Sequence, residues 1–192
     1  MFMQSGFAYN EEQWEELIDG KIVSMSPRPS VNHHTITSNI STLFRRYLKG
    51  RICRAFGDGV DLYLSENNHF IPDGMIVCDR SKIRMNGVHG APDLVVEVLS
   101  PGTARNDRGR KFRAYEKAGV REYWLVNAVE KSVEQYFLKN AHFELHEVYT
   151  VYPDYMLEVM EAGERAAVPM VIHCSLYEDL DISLDDIFED TF

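Results

Sequence analysis

The sequence predicts an α/β fold in which a mixed central sheet is flanked by helices. The main observation is residues 92–127, where a strand, a turn, a helix and a second strand follow one another. This β-α-β order indicates a crossover between two parallel strands. Short strand-like segments, some joined by hairpin turns, precede and follow the unit and would extend the same sheet. The 192 residues suit a single domain, 1–192, able to bury about 70% of its unfolded surface.

The part of the chain before this unit predicts two helices and three strands. Apolar residues recur at helical spacing in the longer helix, and basic residues gather near its end. Glu66–His69 reads as a hairpin turn between two of the strands. The expected elements are, in order, a helix over 10–19, a strand over 21–25, a loop over 26–30, a helix over 32–48, and strands over 60–65 and 70–78.

The β-α-β unit opens with the aliphatic and β-branched run Leu94–Leu99, which is typical of a strand covered on both faces. One acid, Glu97, interrupts this run. Its charge would be costly to bury unless a metal or a cation meets it, so it is either a metal ligand or half of a structural ion pair. The turn Ser100–Thr103 ends the strand, because proline cannot continue a central ladder and glycine permits a positive φ.

A helix is expected next, from about Ala104 to Ala118, closed by Gly119 in the C′ position. Lys111 and Tyr115 lie four residues apart on one face, so this face can direct an ammonium toward the end of the preceding strand. The chain after the helix predicts a buried strand over 121–127, strands over 132–138, 142–151 and 168–175, and a last helix over 184–188 opened by Ser183.

Several pieces of the first two-thirds of the chain occur in the order of a known family. They are ELIDGKIVSMSP (16–27), His34, IPDGMIVCD (71–79), PDLVVEVLSP (92–101), Asp107 with Lys111 and Tyr115, and GVREYWLVN (119–127). This ordered set resembles the Uma-two family, which belongs to the PD-(D/E)xK nuclease superfamily. The resemblance implies a restriction-endonuclease-like fold with core motifs in 16–127 and an acidic C-terminal extension over 154–192. It also implies an endonuclease that hydrolyses DNA phosphodiester bonds with a divalent metal, Mg²⁺ or Mn²⁺.

Geometry limits which acids can share one cation. Asp93 and Glu97 lie on one strand face about 13 Å apart, at about 3.3 Å per residue, so they cannot bind the same ion. Asp73 lies on another strand and can approach Glu97 across a spacing of about 5 Å. Asp73 and Glu97, with a carbonyl near Val98, are therefore expected to hold the metal. Asp93 is expected to open its strand.

The superfamily motif places a lysine two residues after the acid, where this chain has Leu99. The resemblance implies that Lys111, on the following helix, takes this role. It also brings in His34, which is otherwise an ordinary residue of a first helical turn. Glu16 is a candidate third acid, acting through a water-mediated ligand. Tyr115 is expected to hold the helix in place.

The net charge of −10 is unevenly distributed. Asp154–Phe192 contains eleven acids and one arginine, so the first 153 residues are formally neutral. Residues 105–121 contain seven basic residues and two acids. A basic stripe beside a carboxylate site suits the steering of a phosphodiester, although a solvated helix face gives the same pattern. The residues expected to contact nucleic acid are Arg105, Arg108, Arg110 and Arg113.

Two other interpretations of function stay open. Leu99 and the acidic extension favour a catalytically idle module that binds nucleic acid on the same fold. Exposed hairpins over 130–150 favour a protein-interaction module. A homodimer is expected in any case, because paired sites cut both strands most easily. The sequence has no recognisable base-reading element, so it does not distinguish DNA from RNA.

The lengths of the apolar runs and the spacing of the cysteines predict the cellular compartment of the protein. The chain has no apolar run long enough to span a bilayer and no basic-then-apolar leader, so we expect a cytoplasmic protein without membrane contact. Cys53, Cys78 and Cys174 are odd in number and widely spaced. We therefore expect reduced structural thiols.

Overall fold

A computed structural model of the chain describes residues 15–24 and 29–192. The first elements are β1 (Glu15–Ile18), β2 (Lys21–Ser24), α1 (Val31–Tyr47), β3 (Arg54–Gly57), β4 (Leu62–Ser65), β5 (Asn68–Phe70), β6 (Gly74–Val77), a 3₁₀ turn (Arg80–Lys82), β7 (Ile83–Arg84) and β8 (Gly87–His89). The others are β9 (Leu94–Leu99), α2 (Ala104–Asn106), a π-helical turn (Asp107–Lys111), α3 (Phe112–Ala118), β10 (Glu122–Asn127), β11 (Ser132–Lys139), β12 (His142–Thr150), α4 (Asp154–Leu157), α5 (Ala162–Ala166), β13 (Val171–His173), β14 (Asp181–Ser183) and α6 (Leu184–Ile187).

The main sheet has six strands in the order β12-β11-β10-β9-β6-β3. Strands β9 and β10 are parallel, with Val96 opposite Trp124, and every other neighbouring pair is antiparallel. The predicted crossover between parallel strands is therefore confirmed. Both central strands are buried along nearly their whole length, as their aliphatic composition predicts.

The two faces of the main sheet are covered by different elements. Helix α1 covers one face with Ile36, Ile40 and Phe44, and the acidic C-terminal extension packs beside it. Helix α3 and a second sheet cover the other face. This second sheet has the order β2-β1-β5-β4-β8-β7. The result is a mixed sheet with helices on both faces, which is the predicted fold class.

Helix α1 forms where the apolar periodicity predicts it. The Ser30 side chain accepts a hydrogen bond of 3.2 Å from the His33 N–H and so caps the N-terminus. Arg45 and Arg46 lie in the last turn, where positive charge is favourable to the helix dipole. Helix and strand predictions over 104–118, 121–127, 132–138, 142–151 and 184–188 are confirmed within two residues at each end.

Two predictions in the first half of the chain are wrong. Glu15–Ile18, placed in a helix, is strand β1, and it pairs with β2 through a turn at Asp19 and Gly20, both at positive φ. Residues 10–14 of that predicted helix, and 25–28 of the strand and loop that follow, lie outside the described residues. The strand predicted over 70–78 is broken, because Pro72 cannot donate to a ladder. Strand β5 before the break joins the second sheet, and β6 after it joins the main sheet.

The cysteine prediction is wrong for two of the three residues. Cys53 and Cys78 form a disulfide, and Cys174 is a buried free thiol. The register of β3 against β6 pairs Arg54 with Val77. The next pair outward is Cys53 and Cys78, so the two thiols face each other once β3 pairs with β6. No helix in the described ranges combines the length and apolar character that a bilayer crossing requires.

Candidate active site

The two acids predicted to hold a metal lie at the same end of the main sheet. Strands β6 and β9 are antiparallel, with Gly74 opposite Val96. Continuing this register by one residue places Asp73 opposite Glu97, and directly opposed Cβ atoms lie about 4.5–5.5 Å apart. Asp73 Oδ2 accepts a hydrogen bond of 2.6 Å from the Val98 N–H, which holds its side chain against β9.

Lys111 lies within a buried cluster of carboxylates. Its Nζ is 2.7 Å from Glu97 Oε1, 3.0 Å from Glu16 Oε1 and 3.3 Å from Asp107 Oδ1. Lys111 is 2% exposed, so water screens these contacts little. Burial alone would lower the pKa of Lys111, but the three carboxylates raise it well above its usual value. The ammonium is therefore held in its charged form.

The pKa of Glu97 is set by burial and by several neighbouring charges. Burial raises the pKa of Glu97 well above its usual value, Lys111 opposes this shift, and the charges of Asp107, Asp73 and Glu16 add to it. The Tyr115 hydroxyl donates a hydrogen bond of 2.7 Å to Glu97 Oε1. Burial, with the nearby Glu97 charge, also raises the pKa of Tyr115 well above its usual value, so the hydroxyl keeps its proton and remains a donor.

The π-helical turn explains how Asp107 and Lys111 both face inward. The turn is bounded by these two residues, and both are buried. It joins α2 to α3 without interrupting the helical path predicted over 104–118. The Tyr123 hydroxyl donates a hydrogen bond of 3.1 Å to the Asp107 carbonyl, which anchors the turn on β10. Turns of this kind occur frequently at functional sites.

Glu16 reaches the cluster from the second sheet. It lies on β1 and is 4% exposed. Its Oε1 accepts hydrogen bonds of 3.0 Å from both the Ile71 N–H and Lys111 Nζ. The same oxygen thus positions the lysine and ties β1 to the segment that leads into Asp73.

The two histidines at the start of α1 lie in different surroundings. His34, the residue identified from the sequence, is exposed and lines a groove beside α1. His33 is the buried one, and its Nε2 lies 3.4 Å from Asp73 Oδ1. Burial lowers the pKa of His33, but the hydrogen bond and charge of Asp73 outweigh this effect and the net shift is upward. His33 is therefore a site residue that the sequence reasoning missed.

The chemistry of these donors fits a hard divalent cation. Three carboxylates, from Glu16, Glu97 and Asp107, surround one ammonium. Asp73 adds a fourth acid opposite Glu97, and oxygen ligands are those that Mg²⁺ and Mn²⁺ prefer. Asp107 Oδ1 is buried and accepts no hydrogen bond from the described part of the chain, although Lys111 Nζ lies 3.3 Å away. Within 15–24 and 29–192, however, no three His, Cys, Asp or Glu side chains converge as a ready ligand set. The strand register places Asp73 and Glu97 opposite each other, so these two acids are the residues that could hold a cation.

The remaining candidates lie away from this cluster. Asp93 sits at the opposite end of β9, where it accepts a hydrogen bond of 2.8 Å from the Cys78 N–H and pairs with Arg121. The structure thus separates Asp93 from the acid pair. Leu99 packs partly buried against the core on the α3 side of the sheet.

The four arginines expected to contact nucleic acid divide into two pairs. Arg108 donates two hydrogen bonds, of 2.9 and 2.6 Å, to the Glu134 carboxylate. Arg110 donates to the Asn106 side chain. Arg105 and Arg113 are exposed. Only the second pair therefore presents its guanidinium groups without an intramolecular hydrogen bond among the described residues.

The comparisons with known proteins agree with this architecture. The family model Uma2, described as "Putative restriction endonuclease", matches residues 4–169. A crystal structure described as a putative nuclease belonging to DUF820, from Anabaena variabilis, superimposes with a TM-score of 0.69. It is 26% identical and covers 92% of this chain and 90% of its own.

Two curated relatives come from Synechocystis. The uncharacterized protein slr1290 is 34% identical over 133 residues, which are 65% of this chain and 70% of the relative. The uncharacterized protein sll1609 is 30% identical over 125 residues, 63% of this chain and 70% of the relative.

Fold and site together define a restriction-endonuclease-like protein, in which a mixed sheet carries a buried cluster of acids and one lysine at its end. The family match extends over most of the described sequence and agrees with the solved neighbour. The chain belongs to the Uma2 family.

Proposed function

We propose that the protein is a metal-dependent endonuclease that hydrolyses DNA phosphodiester bonds. Asp73, Glu97 and the backbone carbonyl of Val98 would hold Mg²⁺ or Mn²⁺. The observation that carries this proposal is the placement of Asp73 opposite Glu97, with Lys111 Nζ 2.7 Å from the Glu97 carboxylate. Two opposed acids can hold a cation and a neighbouring amine can donate to water or phosphate, which together would support metal-assisted hydrolysis of a phosphodiester.

Lys111, Tyr115 and Glu16 would have separate roles beside the bound cation. A bound cation supplies stabilisation of the charge that develops on the phosphate and acidifies water. Lys111 keeps its proton because three carboxylates surround it, so it serves as a donor that positions the attacking water or binds the phosphate. Tyr115 orients Glu97 through its hydrogen bond, and Glu16 orients the ammonium.

The experiment that tests the proposal is plasmid nicking in Mg²⁺ or Mn²⁺ by the wild type and by Asp73→Ala, Glu97→Ala and Lys111→Ala. We expect nicking by the wild type and a loss of at least roughly a hundredfold in each variant. Asp93→Asn is the matched comparison, because it changes an acid directly before β9, at the far end of that strand from the site, and it should nick like the wild type. Equal activity in the wild type and the three alanine variants would reject the assignment.

A second readout does not depend on turnover. Mn²⁺ should raise the melting temperature of the wild type by mass action, since an ion that binds the folded state stabilises it. Asp73→Asn and Glu97→Gln keep the shape of the site but remove a charge, so the shift should shrink in both. A shift that is unchanged in both variants would place any bound cation elsewhere.

One observation favours a second candidate function, nucleic-acid binding without cleavage. Lys111 is contacted by three carboxylates, from Glu16, Glu97 and Asp107. An ammonium so engaged can act on a phosphate only if at least one of these contacts opens. Duplex binding that survives Glu97→Ala, together with no metal-dependent nicking by the wild type, would establish this alternative.

A further inference from the structure

An open groove of about 1120 Å³ runs between α1 and β3. Strand β3 is an edge strand of the main sheet, so one side of its backbone has no neighbouring strand among the described residues. At the floor of the groove the two walls nearly touch, because a Cβ on Gly57 would lie 2.8 Å from Ser41 Oγ. The groove is thus a surface channel with one helical wall and one wall of edge backbone.

The helical wall is basic. Arg45, Arg46 and Lys49 line the groove and are exposed. Within the described ranges none of the three forms an ion pair. Arg54 adds a fourth cation from β3, and among the residues that the structure describes Asp58 is the only acid that lines the groove. This surplus of positive charge is notable in a chain with a net charge of −10.

The helix dipole explains only part of this pattern. Arg45 and Arg46 lie in the last turn of α1, where a cation is favourable whatever its partner. Lys49 lies beyond the helix, and Ser38 and Thr42 add exposed hydroxyls along the same wall. Cations interleaved with hydroxyls and free backbone groups are the donors that proteins direct at phosphate oxygens.

The dimensions suit one strand of nucleic acid. From His34 to Arg46 the helix rises about 18 Å, at about 1.5 Å per residue. One strand of duplex DNA carries a phosphate about every 3.4 Å of axis, so this wall can follow about five phosphates. A polyanion of this spacing matches a row of cations and hydroxyls on one helix face.

Both walls of the groove lead to the candidate active site. On the helical wall, His34 is followed inward by His33, whose Nε2 lies 3.4 Å from Asp73 Oδ1. On the other wall, Gly57 is paired with Gly74, the residue directly after Asp73. Asp58 lines the groove at this end and directly follows Gly57 in the chain.

We propose that the groove between α1 and β3 holds the sugar–phosphate backbone of the DNA strand and leads it to Asp73. Arg45, Arg46 and Lys49 contact successive phosphates. The substrate class of this proposal rests on the proposed function. The proposal assigns the main nucleic-acid surface to the cations beside α1 and not to the exposed Arg105 and Arg113.

The test is equilibrium binding of a short fluorescein-labelled DNA duplex, and of its single strand, measured by anisotropy in EDTA over a series of salt concentrations. Three proteins are compared with the wild type, each lacking three cations. The groove variant is Arg45→Ala/Arg46→Ala/Lys49→Ala, the helix variant is Arg105→Ala/Arg113→Ala/Lys117→Ala, and the charge-matched control is Arg84→Ala/Lys139→Ala/Arg165→Ala. All nine residues are exposed, so folding should be unaffected, which melting temperatures check.

The groove variant should bind at least roughly tenfold more weakly than the control at moderate salt, and the slope of log K against log salt should fall by about 2 to 3. A slope unchanged from that of the control would overturn the proposal. So would a wild type that fails to bind either DNA at low salt, or a loss confined to the helix variant. Because binding is measured in EDTA, the result does not depend on cleavage. A protein that binds DNA through the groove but does not nick it in a separate assay would count against the proposed function and not against this surface.

Discussion

Among the described residues, Lys111 is the one cation in contact with the buried acids Glu16, Glu97 and Asp107, so its removal should show how much this charge contributes to stability. Lys111→Met keeps an unbranched apolar stem that reaches the ε position and removes the ammonium. Glu16, Glu97 and Asp107 would then be buried without a compensating charge, since all three lie within 3.3 Å of Nζ. Removing one partner of a buried ion pair costs about 3–5 kcal/mol. Domains are typically stable by about 5–15 kcal/mol, so this is a large fraction of the total.

The pH dependence has a definite sign. The pKa of Lys111 is raised above its usual 10.5, so its contribution is fully present below pH 10.5 and is lost only as pH rises through the higher value. At neutral pH the substitution therefore removes the whole contribution. In the variant, the buried carboxylates can relieve their repulsion only by taking up protons. The stability of Lys111→Met should thus rise as pH falls from about 7 to 5 in EDTA.

The assay is urea unfolding followed by tryptophan fluorescence, because Trp124 is buried in the core. Lys117→Met is the control, since Lys117 is exposed on the same helix and should change stability by less than about 0.5 kcal/mol. A Lys111→Met protein within about 1 kcal/mol of the wild type at neutral pH would refute the reasoning. It would mean that the acids are already neutral without the lysine.

Three other perturbations test the structure outside the site. Without reductant, the unfolded chain should react with one equivalent of a thiol reagent, at Cys174, and after reduction it should react with three. Reduction of the Cys53–Cys78 disulfide should lower the free energy of unfolding in urea by about 3–4 kcal/mol. Glu122→Gln should lose about 3 kcal/mol, because the fully buried carboxylate accepts four hydrogen bonds from N–H and O–H donors and an amide accepts only at one atom. Gly119→Ala should cost about 1 kcal/mol in the same assay, because φ is 88° at this helix end.

Local sequence patterns predicted a helix or strand correctly wherever the spacing of apolar residues matched the face that is buried. Helix α1 and strands β9 and β10 follow directly from helical spacing and from continuous aliphatic runs, because those patterns match the faces that the core covers. The meeting of Asp73 with Glu97 was also predictable, since strand spacing allows only acids on different strands to approach each other. The sequence reasoning could not establish that Lys111 reaches Glu97, because this depends on the π-helical turn.

The features that the sequence did not predict, which are strand β1, the role of His33 and the disulfide, have identifiable causes. The segment ending at Ile18 has residues typical of helices, but pairing of β1 with β2 overrides that preference, and the Asp19-Gly20 turn is a hairpin signal that could have revealed it. His33 could have been preferred to His34, because it shares the buried stripe of Ile36 and Ile40 at spacings of three and seven. The disulfide and the groove both depend on β3, whose short sequence Arg54–Gly57 carries no strand pattern.

The position of the lysine shows why spacing alone is a poor test of this kind of site. A motif with lysine two residues after the acid would place an amine on the same strand face as Glu97, where this chain has Leu99. The chemistry, however, depends on where Nζ lies and not on which element supplies it. Lys111 brings Nζ to 2.7 Å from Glu97 from a helix fourteen residues later, on the same side of the sheet that Leu99 occupies. If the proposed function is right, Lys111 supplies from the helix the amine that Leu99 does not supply from the strand. Glu16 and Asp107 also contact its Nζ and would hold the ammonium in place.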